Sequence, residues 1–415
     1  MPSMLPEGGP APPDGTLPRQ ALDSLPSATF SFYVHVPFCR VRCGYCDFNT
    51  YTAAELGTGP GASRARYAET VVAEIRLARR VLGDEHAEVA TVFFGGGTPT
   101  LLPPADLASI VAAIDHEFGL APDVEITTEA NPDSVSPRDL DELRAGGINR
   151  ISFGMQSAVP SVLAILDRTH DPMIVPEVVA WARASGFDQI SLDLIYGTPG
   201  ESLDDWRRSL DAVVALKPDH VSAYALIVED GTALARQVRQ EIVAPPDDDD
   251  LADKYELADQ LLGDAGFDWY EVSNWSRDDA SRCQHNLAYW SGANWWGAGP
   301  GAHSHVGSVR WWNVKSPLAY AERLASGKSP AQAREVLDEG TRTLERVLLE
   351  SRLATGLPVD VLTEAGLAAV PGQIAAERVL LQSPGDSQRD LPHRLVLTRK
   401  GRLLADAVVR SLLSV

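Results

Sequence analysis

Short apolar runs alternate with helical patterns along the first half of the chain. Six runs rich in β-branched and aromatic residues have the length of buried strands, and six segments with apolar residues three and four positions apart lie between them. Strands are predicted at 30–36, 89–96, 123–129, 149–155, 189–197 and 220–226, and helices at 64–82, 104–118, 137–145, 159–168, 173–185 and 203–216. Repeated strand–helix alternation predicts an α/β fold of parallel βα units.

The number of units and the residues at the strand ends indicate how the sheet is arranged. Six βα units in about 200 residues favour an incomplete, open (β/α)6 barrel over a closed eight-unit barrel. A doubly wound sheet is the structural alternative. The barrel is favoured because it gathers its functional residues at the strand C-termini, where unusual residues occur in this chain. These are Gly95–Gly97, Glu129, Gln156 and Asp193.

The pattern changes on both sides of the barrel, which is predicted at 29–240. Residues 1–28 are rich in Pro and Gly with little to bury, which predicts a disordered leader. Residues 241–319 form an extension with an acidic run ahead of a helix at 251–265, and seven of the nine tryptophans lie in 267–313. Helical patterns after 320 predict a mainly helical, winged-helix-like accessory domain at 320–415.

Composition narrows the class of protein. The 415 residues carry a formal net charge of −21 and are 44% hydrophobic, which is typical of a globular protein with a sizeable core. We find neither an apolar run of about 18 residues nor an export signal, so a cytoplasmic location is expected. The acidic balance disfavours nonspecific binding to nucleic acid, while peripheral membrane contact stays open.

Three of the four cysteines lie on one short segment after the first predicted strand. Cys39, Cys43 and Cys46 have a spacing that can hold an iron–sulfur cube with one iron left open for a small molecule. A tetrahedral zinc site needs a fourth ligand, which Cys283 could supply, and unliganded thiols are the third interpretation. The spacing favours the cluster.

The cysteine motif and its companions resemble a known family. CxxxCxxC after the first strand of a βα repeat resembles the radical S-adenosylmethionine (SAM) superfamily, and the order of the other motifs is similar to that of oxygen-independent coproporphyrinogen III oxidases, enzymes of porphyrin biosynthesis. The motifs are Tyr33–Cys39, Gly95–Thr100, Glu129–Pro132, Ser152–Ser157, Asp193–Gly197 and Leu395–Gly401. The resemblance implies a [4Fe–4S] cluster on Cys39, Cys43 and Cys46. It implies SAM contacts at Tyr33, Gly96, Gly97, Thr98, Glu129, Gln156, Arg168 and Asp193.

Two departures separate the chain from the oxidases themselves. Phe48 stands where their cluster motif continues with a fourth cysteine, and the region before the first strand is shorter. A third feature, HNxxYW within Cys283–Trp290, resembles the signature of the haem-chaperone branch of the family, the HemW proteins. The resemblance implies haem contacts at His285, Asn286, Tyr289 and Trp290. Imidazole is a common axial ligand of haem iron, and aromatic rings can lie against the macrocycle. The alternative is a Trp-rich packing layer in which His285 only hydrogen-bonds a strand.

Four hypotheses follow. The first is a haem-binding chaperone with a SAM-coordinated cluster that passes its cargo, haem, to acceptor haemoproteins. The second is a coproporphyrinogen III dehydrogenase, an enzyme that oxidatively decarboxylates propionates. A radical SAM enzyme acting on tRNA is disfavoured by the acidic charge, and a zinc-stabilised structural protein is the fourth. We therefore expect haem and haemoproteins as partners, with no nucleic acid and no integral membrane segment. A homodimer and the cleavage of SAM stay open.

Overall fold

The computed structural model describes residues 7–23, 25, 28–56, 64–83, 88–383 and 392–413. Strands are β1 Gly9–Pro10, β2 Phe30–Val36, β3 Val89–Gly96, β4 Leu120–Ala130, β5 Arg150–Gln156, β6 Gln189–Tyr196, β7 His220–Ala225, β8 Asp268–Glu271, β9 Asn274–Ser276, β10 Asn294–Ala298, β11 His303–Val306, β12 Val309–Asn313, β13 Ala331–Val336, β14 Leu357–Pro358, β15 Val379–Gln382 and β16 Arg394–Leu397. Helices are α1 Arg19–Leu22, α2 Ala53–Leu56, α3 Tyr67–Leu82, α4 Pro104–Phe118, α5 Pro137–Ala145, α6 Pro160–Ile165, α7 Val175–Ala184, α8 Leu203–Leu216, α9 Ala233–Arg239, α10 Asp248–Asp264, α11 Gln284–Trp290, α12 Pro317–Ala325, α13 Glu339–Glu350, α14 Glu364–Ala375, α15 Arg399–Leu403 and α16 Ala405–Leu413.

The six predicted βα units are confirmed. Strands β2 to β7 are parallel and lie side by side in chain order, without the reversal of strand order that a doubly wound sheet requires. Successive right-handed crossovers in one direction place their helices on the same face, so the sheet curls into an open barrel. Within the described chain, the end strands β1 and β8 do not pair with each other.

The alternating direction of the side chains along β2 explains how the barrel positions its site. Phe30, Phe32 and Val34 are fully buried, and the rings of Phe30 and Phe32 pack against Phe118 of α4 in the outer apolar layer. Successive side chains of a strand point to opposite faces, so the residues between them point inward. Polar side chains at every second position therefore line the interior of the barrel.

The Trp-rich segment extends this sheet at both edges and does not form a separate extension. β9 and β8 add antiparallel strands beside β7, while β10 pairs in parallel with β2 and is followed by β11, β12 and β13. Because α12 and β13 also belong to this body, the predicted boundary at 320 is wrong. The accessory unit begins near α13, where a second apolar cluster starts with Val347.

A buried carboxylate on α3 attaches the added strands β10 and β12 to the helices outside the sheet. Glu74 of α3 accepts hydrogen bonds from the backbone N–H of Gly299 (2.8 Å), from Asn313 Nδ2 (2.8 Å) and from Trp296 Nε1 (3.4 Å), and the Tyr320 hydroxyl also donates to it. Burial raises the pKa of Glu74 to about 7. One side chain thus connects α3, β10, β12 and α12.

The prediction of a disordered leader is wrong for residues 7–23, 25 and 28. β1 pairs antiparallel with β13, and Leu17, Ala21 and Leu25 are buried in the main core. Residues 1–6, 24, 26 and 27 of that prediction lie outside the described residues. The Pro- and Gly-rich composition concealed a segment that gains its burial from tertiary contacts.

The C-terminal unit has its own core. The antiparallel sheet β14-β16-β15 packs with α13, α14 and α16 around Leu357, Leu395 and Val408. Arg402 of α15 joins this unit to α10 through a two-pronged ion pair with Asp259, at 2.7 and 2.8 Å. Among the described residues, none of the helices has the length and apolar character needed to cross a membrane.

Candidate functional site

One cavity of about 530 Å³ extends through the inside of the barrel. Its mouth lies at the C-terminal ends of the strands beside the cysteine loop, and its floor lies against α11. The cavity brings together the three cysteines, every predicted SAM residue and three of the four predicted haem residues. Those lining it are Cys39, Cys43, Cys46, Tyr33, Gly96, Gly97, Thr98, Glu129, Gln156, Arg168, Asp193, His285, Asn286 and Tyr289.

The cysteine loop is held in place from two sides. The backbone N–H of Cys39 donates to the carbonyl of Tyr51 (3.0 Å), and Leu234 N donates to the carbonyl of Gly44 (2.8 Å). Asn49 donates through Nδ2 to the carbonyls of Pro300 and Lys315, both at 3.0 Å. Residues distant in the sequence therefore fix the half-buried thiols at the mouth.

The surroundings of these thiols fit a cluster with three protein ligands. Arg168 Nη1 lies 3.7 Å from Cys43 Sγ and offsets negative charge there. A Cβ at Gly97 would lie 2.4 Å from the carbonyl of Phe38 and 3.0 Å from Cys39 Sγ, so this position requires glycine. Burial raises the pKa of the Cys39 thiol and raises that of Cys46 to about 12. A bound metal centre stabilises thiolates in such a place.

The zinc alternative finds little support. Among the described residues, no three His, Cys, Asp or Glu side chains are close enough to share one metal ion. Cys283 does not join the loop, since its Sγ lies at the cavity floor, 3.6 Å from Glu125 Oε1. The fourth cysteine is a buried thiol in this structure.

A glycine edge and two half-buried carboxylates form one wall of the cavity. Gly96 has φ +108° and donates its N–H to Glu129 Oε2 at 3.2 Å. Burial, followed by the nearby Asp193, raises the pKa of Glu129 to about 8. Burial likewise raises the pKa of Asp193, whose carboxylate accepts from Ser152 Oγ at 2.7 Å. The wall offers acceptors for hydroxyl and amino groups of a ligand.

The end of β5 carries backbone strain beside a buried cation. Gln156 has φ +61°, and the pairing of β5 with β6 shifts register between Gly154 and Gln156. Such conformations concentrate at ligand sites. Arg168 Nη2 donates to the carbonyl of Gly154 (2.7 Å) and to Asn131 Oδ1 (2.8 Å), which fixes the guanidinium over the same opening.

His285 lies on the cavity floor and is almost completely buried, with 2% exposure. Its Nδ1 is 2.6 Å from Thr91 Oγ1, its Nε2 is 3.0 Å from the Tyr289 hydroxyl, and its ring stacks on Phe93. Burial lowers the pKa of His285 to about 3, so the imidazole is neutral, the form that binds iron. Both ring nitrogens are engaged here, so Nε2 would have to release the Tyr289 hydroxyl before it could bind iron.

The neighbours of His285 differ in their placement. Asn286 lines the cavity and donates to Glu271 Oε1 at 2.9 Å, and Tyr289 packs edge-on against His285. Trp290, the fourth residue that the resemblance implied for haem, lies outside the cavity lining. It is the last residue of α11.

Several lining residues were missed from the sequence. Arg150, Ser152 and His220 line the cavity in its lower half, and Tyr224 lines its mouth. Counting alternate positions backwards from Gln156 along β5 gives 154, 152 and 150, so strand periodicity carried the signal. The sequence reasoning considered only the strand ends and therefore overlooked the deeper positions.

Comparisons with known proteins identify the family of this chain. The radical SAM superfamily model matches residues 33–213. The chain is 52% identical over 392 residues to "Heme chaperone HemW" of Mycobacterium tuberculosis, covering 94% of this chain and 97% of that protein. The chain belongs to the HemW branch of the radical SAM superfamily. It is also 35% identical to the mitochondrial "Radical S-adenosyl methionine domain-containing protein 1" of Mus musculus, covering 81% of this chain and 74% of that protein.

A solved structure confirms the fold expected for the HemW branch. Coproporphyrinogen III oxidase (HemN) from Escherichia coli superposes with a TM-score of 0.78, at 22% identity, covering 97% of this chain and 94% of that chain. The likeness includes the C-terminal unit because it extends over nearly the whole length of both chains. The predicted α/β radical SAM fold is thereby confirmed.

Proposed function

We propose that this protein is a haem-binding chaperone that carries a SAM-coordinated [4Fe–4S] cluster and passes haem to acceptor haemoproteins. The observation that carries the proposal is that the cysteine loop and the histidine of HNxxYW face the same cavity. Membership of the HemW branch supports it, since relatives across that branch bear the name of haem chaperone.

Cys39, Cys43 and Cys46 would hold the cluster, and Arg168 would balance its charge. When bound, such a cluster offers an open iron to the amino and carboxylate groups of SAM and can supply an electron. The chain's own residues would bind and orient SAM. Gly96 and Gly97 leave backbone groups free at the cavity edge. The residues around the remaining space are Tyr33, Thr98, Glu129, Gln156 and Asp193.

His285 would be the axial ligand to haem iron, with Asn286 and Tyr289 beside it and Trp290 at the end of the same helix. The buried, neutral imidazole favours metal binding over protonation. The cavity wall adds the flat rings of Tyr33 and Phe93, which stack with His285 at centroid distances of 6.3 and 5.1 Å. A macrocycle can pack against such rings.

We further propose that the protein acts in the cytoplasm and delivers haem by direct contact with haemoproteins, as a monomer or a homodimer. The net charge of −21 supports protein partners over nucleic acid, since phosphates would be repelled.

An anaerobic haem titration of the reconstituted protein tests the proposal, with the Soret band as readout. Saturable binding that weakens at least tenfold in His285→Ala is expected. The matched control is His305→Ala, because His305 is half-buried in the same Trp-rich region but does not line the cavity. The cluster absorbance of each variant reports whether the barrel is intact.

Two results would contradict the proposal. Equal haem binding by wild type and His285→Ala would remove His285 as the ligand. Absence of haem binding, together with sustained turnover of coproporphyrinogen III in the presence of SAM and reductant, would assign the protein to the oxidase chemistry instead.

A further inference from the structure

The lower half of the barrel is unusually polar. Barrel interiors are ordinarily filled by layers of branched apolar side chains. In this barrel the cavity continues downward between hydrophilic residues of β5, β6 and β7. They are Arg150, Ser152, Ser191, Asp193, His220 and Ser222.

Arg150 is the charged residue at the floor of this cavity. It begins β5, is 3% exposed and lines the cavity. Among the described residues it makes no hydrogen bond through its side chain, and its ion pair with Glu125 is long, with Nε 4.0 Å from Oε2. Because Arg150 lines the cavity, its free donors are available to an acidic group of a ligand.

The neighbouring polar groups are already engaged with one another. Glu125 accepts the N–H groups of Gln284 (2.9 Å) and His285 (3.0 Å) at the start of α11. His220 contacts Ser191 through Nδ1 and Tyr270 through Nε2, both at 2.8 Å. Asp193 accepts from Ser152 Oγ at 2.7 Å, and among the described residues it receives no hydrogen bond from Arg150, so the donors of Arg150 stay available to a ligand in the cavity.

The shape of the cavity indicates what kind of molecule reaches Arg150. Four partly exposed apolar residues surround the mouth: Val41, Phe48, Tyr224 and Ile227. Below them Tyr33, Phe93 and Tyr289 provide aromatic walls. An amphiphile with a flat apolar body and an acidic arm matches this succession of apolar mouth, aromatic wall and cationic floor. Guanidinium groups bind carboxylates with two parallel hydrogen bonds.

We propose that Arg150 is a carboxylate-binding residue and that it receives a propionate arm of the tetrapyrrole cargo. This inference rests on the proposed function and specifies how the cargo is oriented: one acidic edge points into the barrel. SAM also carries a carboxylate. The strained strand end at Gln156 lies six residues along β5 from Arg150, about 20 Å in an extended strand, so the two ends of the cavity serve different ligands.

The test compares two probes in reconstituted wild type, Arg150→Met and Arg282→Met. The probes are iron protoporphyrin IX and its dimethyl ester, which lacks the propionate charges, and SAM is titrated separately. Arg282→Met is the matched control, because Arg282 contacts the ring of Tyr270 near the floor but does not line the cavity. Methionine preserves the apolar stem of the buried arginine, and circular dichroism and cluster absorbance verify the fold.

We expect wild type and Arg282→Met to bind the free acid about tenfold to a hundredfold more tightly than the ester, and Arg150→Met to lose that preference. SAM affinity should be the same in all three proteins. Retention of the preference in Arg150→Met overturns the inference while leaving haem binding established. Loss of SAM affinity in Arg150→Met, with the porphyrin preference intact, overturns it in favour of the SAM carboxylate. Failure of wild type to bind either porphyrin would instead contradict the proposed function and, with it, this inference.

Discussion

The thiols of the chain occupy two different environments. Those of Cys39, Cys43 and Cys46 line the cavity mouth, whereas Cys283 is buried at the floor against Glu125. We expect alanine at any one of the three loop positions to abolish the visible absorbance of the reconstituted cluster, because three ligands leave no spare thiolate. Iron and sulfide analysis with absorption spectroscopy measures this.

Cys283→Ala is the matched control for that experiment. It should retain iron, sulfide and absorbance at the wild-type level, since its thiol is remote from the loop. A full cluster in a loop variant, or its loss in Cys283→Ala, would show that the ligand set is wrong.

Tyr289 restrains the proposed haem ligand. Its hydroxyl lies 3.0 Å from His285 Nε2, and that contact must break before iron can bind there. Tyr289→Phe removes a hydrogen bond worth about 1 kcal/mol, so we expect haem affinity to rise about fivefold. The same haem titration measures it, with Tyr255→Phe as the control in α10, outside the cavity lining. Unchanged or weaker haem binding by Tyr289→Phe would mean that the hydroxyl is not a barrier to iron.

The sequence predicted site residues best where they lie together in short contiguous motifs. The three cysteines, the glycine edge and HNxxYW are contiguous motifs, so their residue types could be recognised before any fold was known. Arg150 could not be recognised in this way. Strand periodicity places Arg150 on the inner face of β5, but only the three-dimensional contacts show that its donors lack a close acceptor.

At the scale of elements, Glu74 holds the Trp-rich strands against α3. Removing its carboxylate leaves several buried donors without acceptors, each worth about 1–3 kcal/mol. We therefore expect Glu74→Ala to lower the free energy of unfolding by roughly 3–5 kcal/mol. Urea titration followed by tryptophan fluorescence is the measurement.

The control for this prediction lies on the same helix. Glu69 is exposed and pairs with Arg66 at 3.5 Å, so Glu69→Ala should change the free energy of unfolding by less than about 1 kcal/mol. Equal effects of the two variants would show that the buried hydrogen-bond network around Glu74 does not account for the loss of stability.

The parallel strands were predicted well because both of their faces are constrained. β2 and β3 have the bounds that their sequence indicated, and β4 begins three residues earlier than predicted. The strand β1 was missed for a physical reason: two residues have no periodicity, and their order comes from pairing with β13. Tertiary contacts of this kind leave no local signal in the sequence.

At the scale of the whole molecule, four buried carboxyl groups predict how stability depends on pH. Burial raises the pKa of Glu74, Glu201 and Glu271 to about 7 and that of Glu129 to about 8, from a usual 4.5. Above neutral pH the unfolded chain has already released these protons while the folded chain still holds part of them. Unfolding then releases protons, so the free energy of unfolding falls as pH rises through this range.

Between pH 7 and 8.5 we expect the free energy of unfolding of the cluster-free protein to fall by about 2 kcal/mol. Each buried histidine opposes this loss only slightly, because its folded-state pKa is lowered and most of its unfolded-state titration, with a pKa near 6.5, is complete above pH 7. Urea unfolding at the two pH values measures the slope, and Glu129→Gln should remove about half of it. A slope that is absent, or that is unchanged in Glu129→Gln, would show that these carboxyl groups are ionised in the folded chain.

The hydrogen bonds that hold the cysteine loop through Asn49 also set an order of events during synthesis. Asn49 is held by the carbonyls of Pro300 and Lys315, which are 251 and 266 residues further along the chain. At about 5–20 residues per second, a ribosome needs roughly 13–50 s to make that stretch. During this interval the nascent chain carries three thiols on a loop whose closing contacts do not yet exist. Nascent chains therefore pass through a period in which iron and oxidants compete for the same cysteine sulfur atoms.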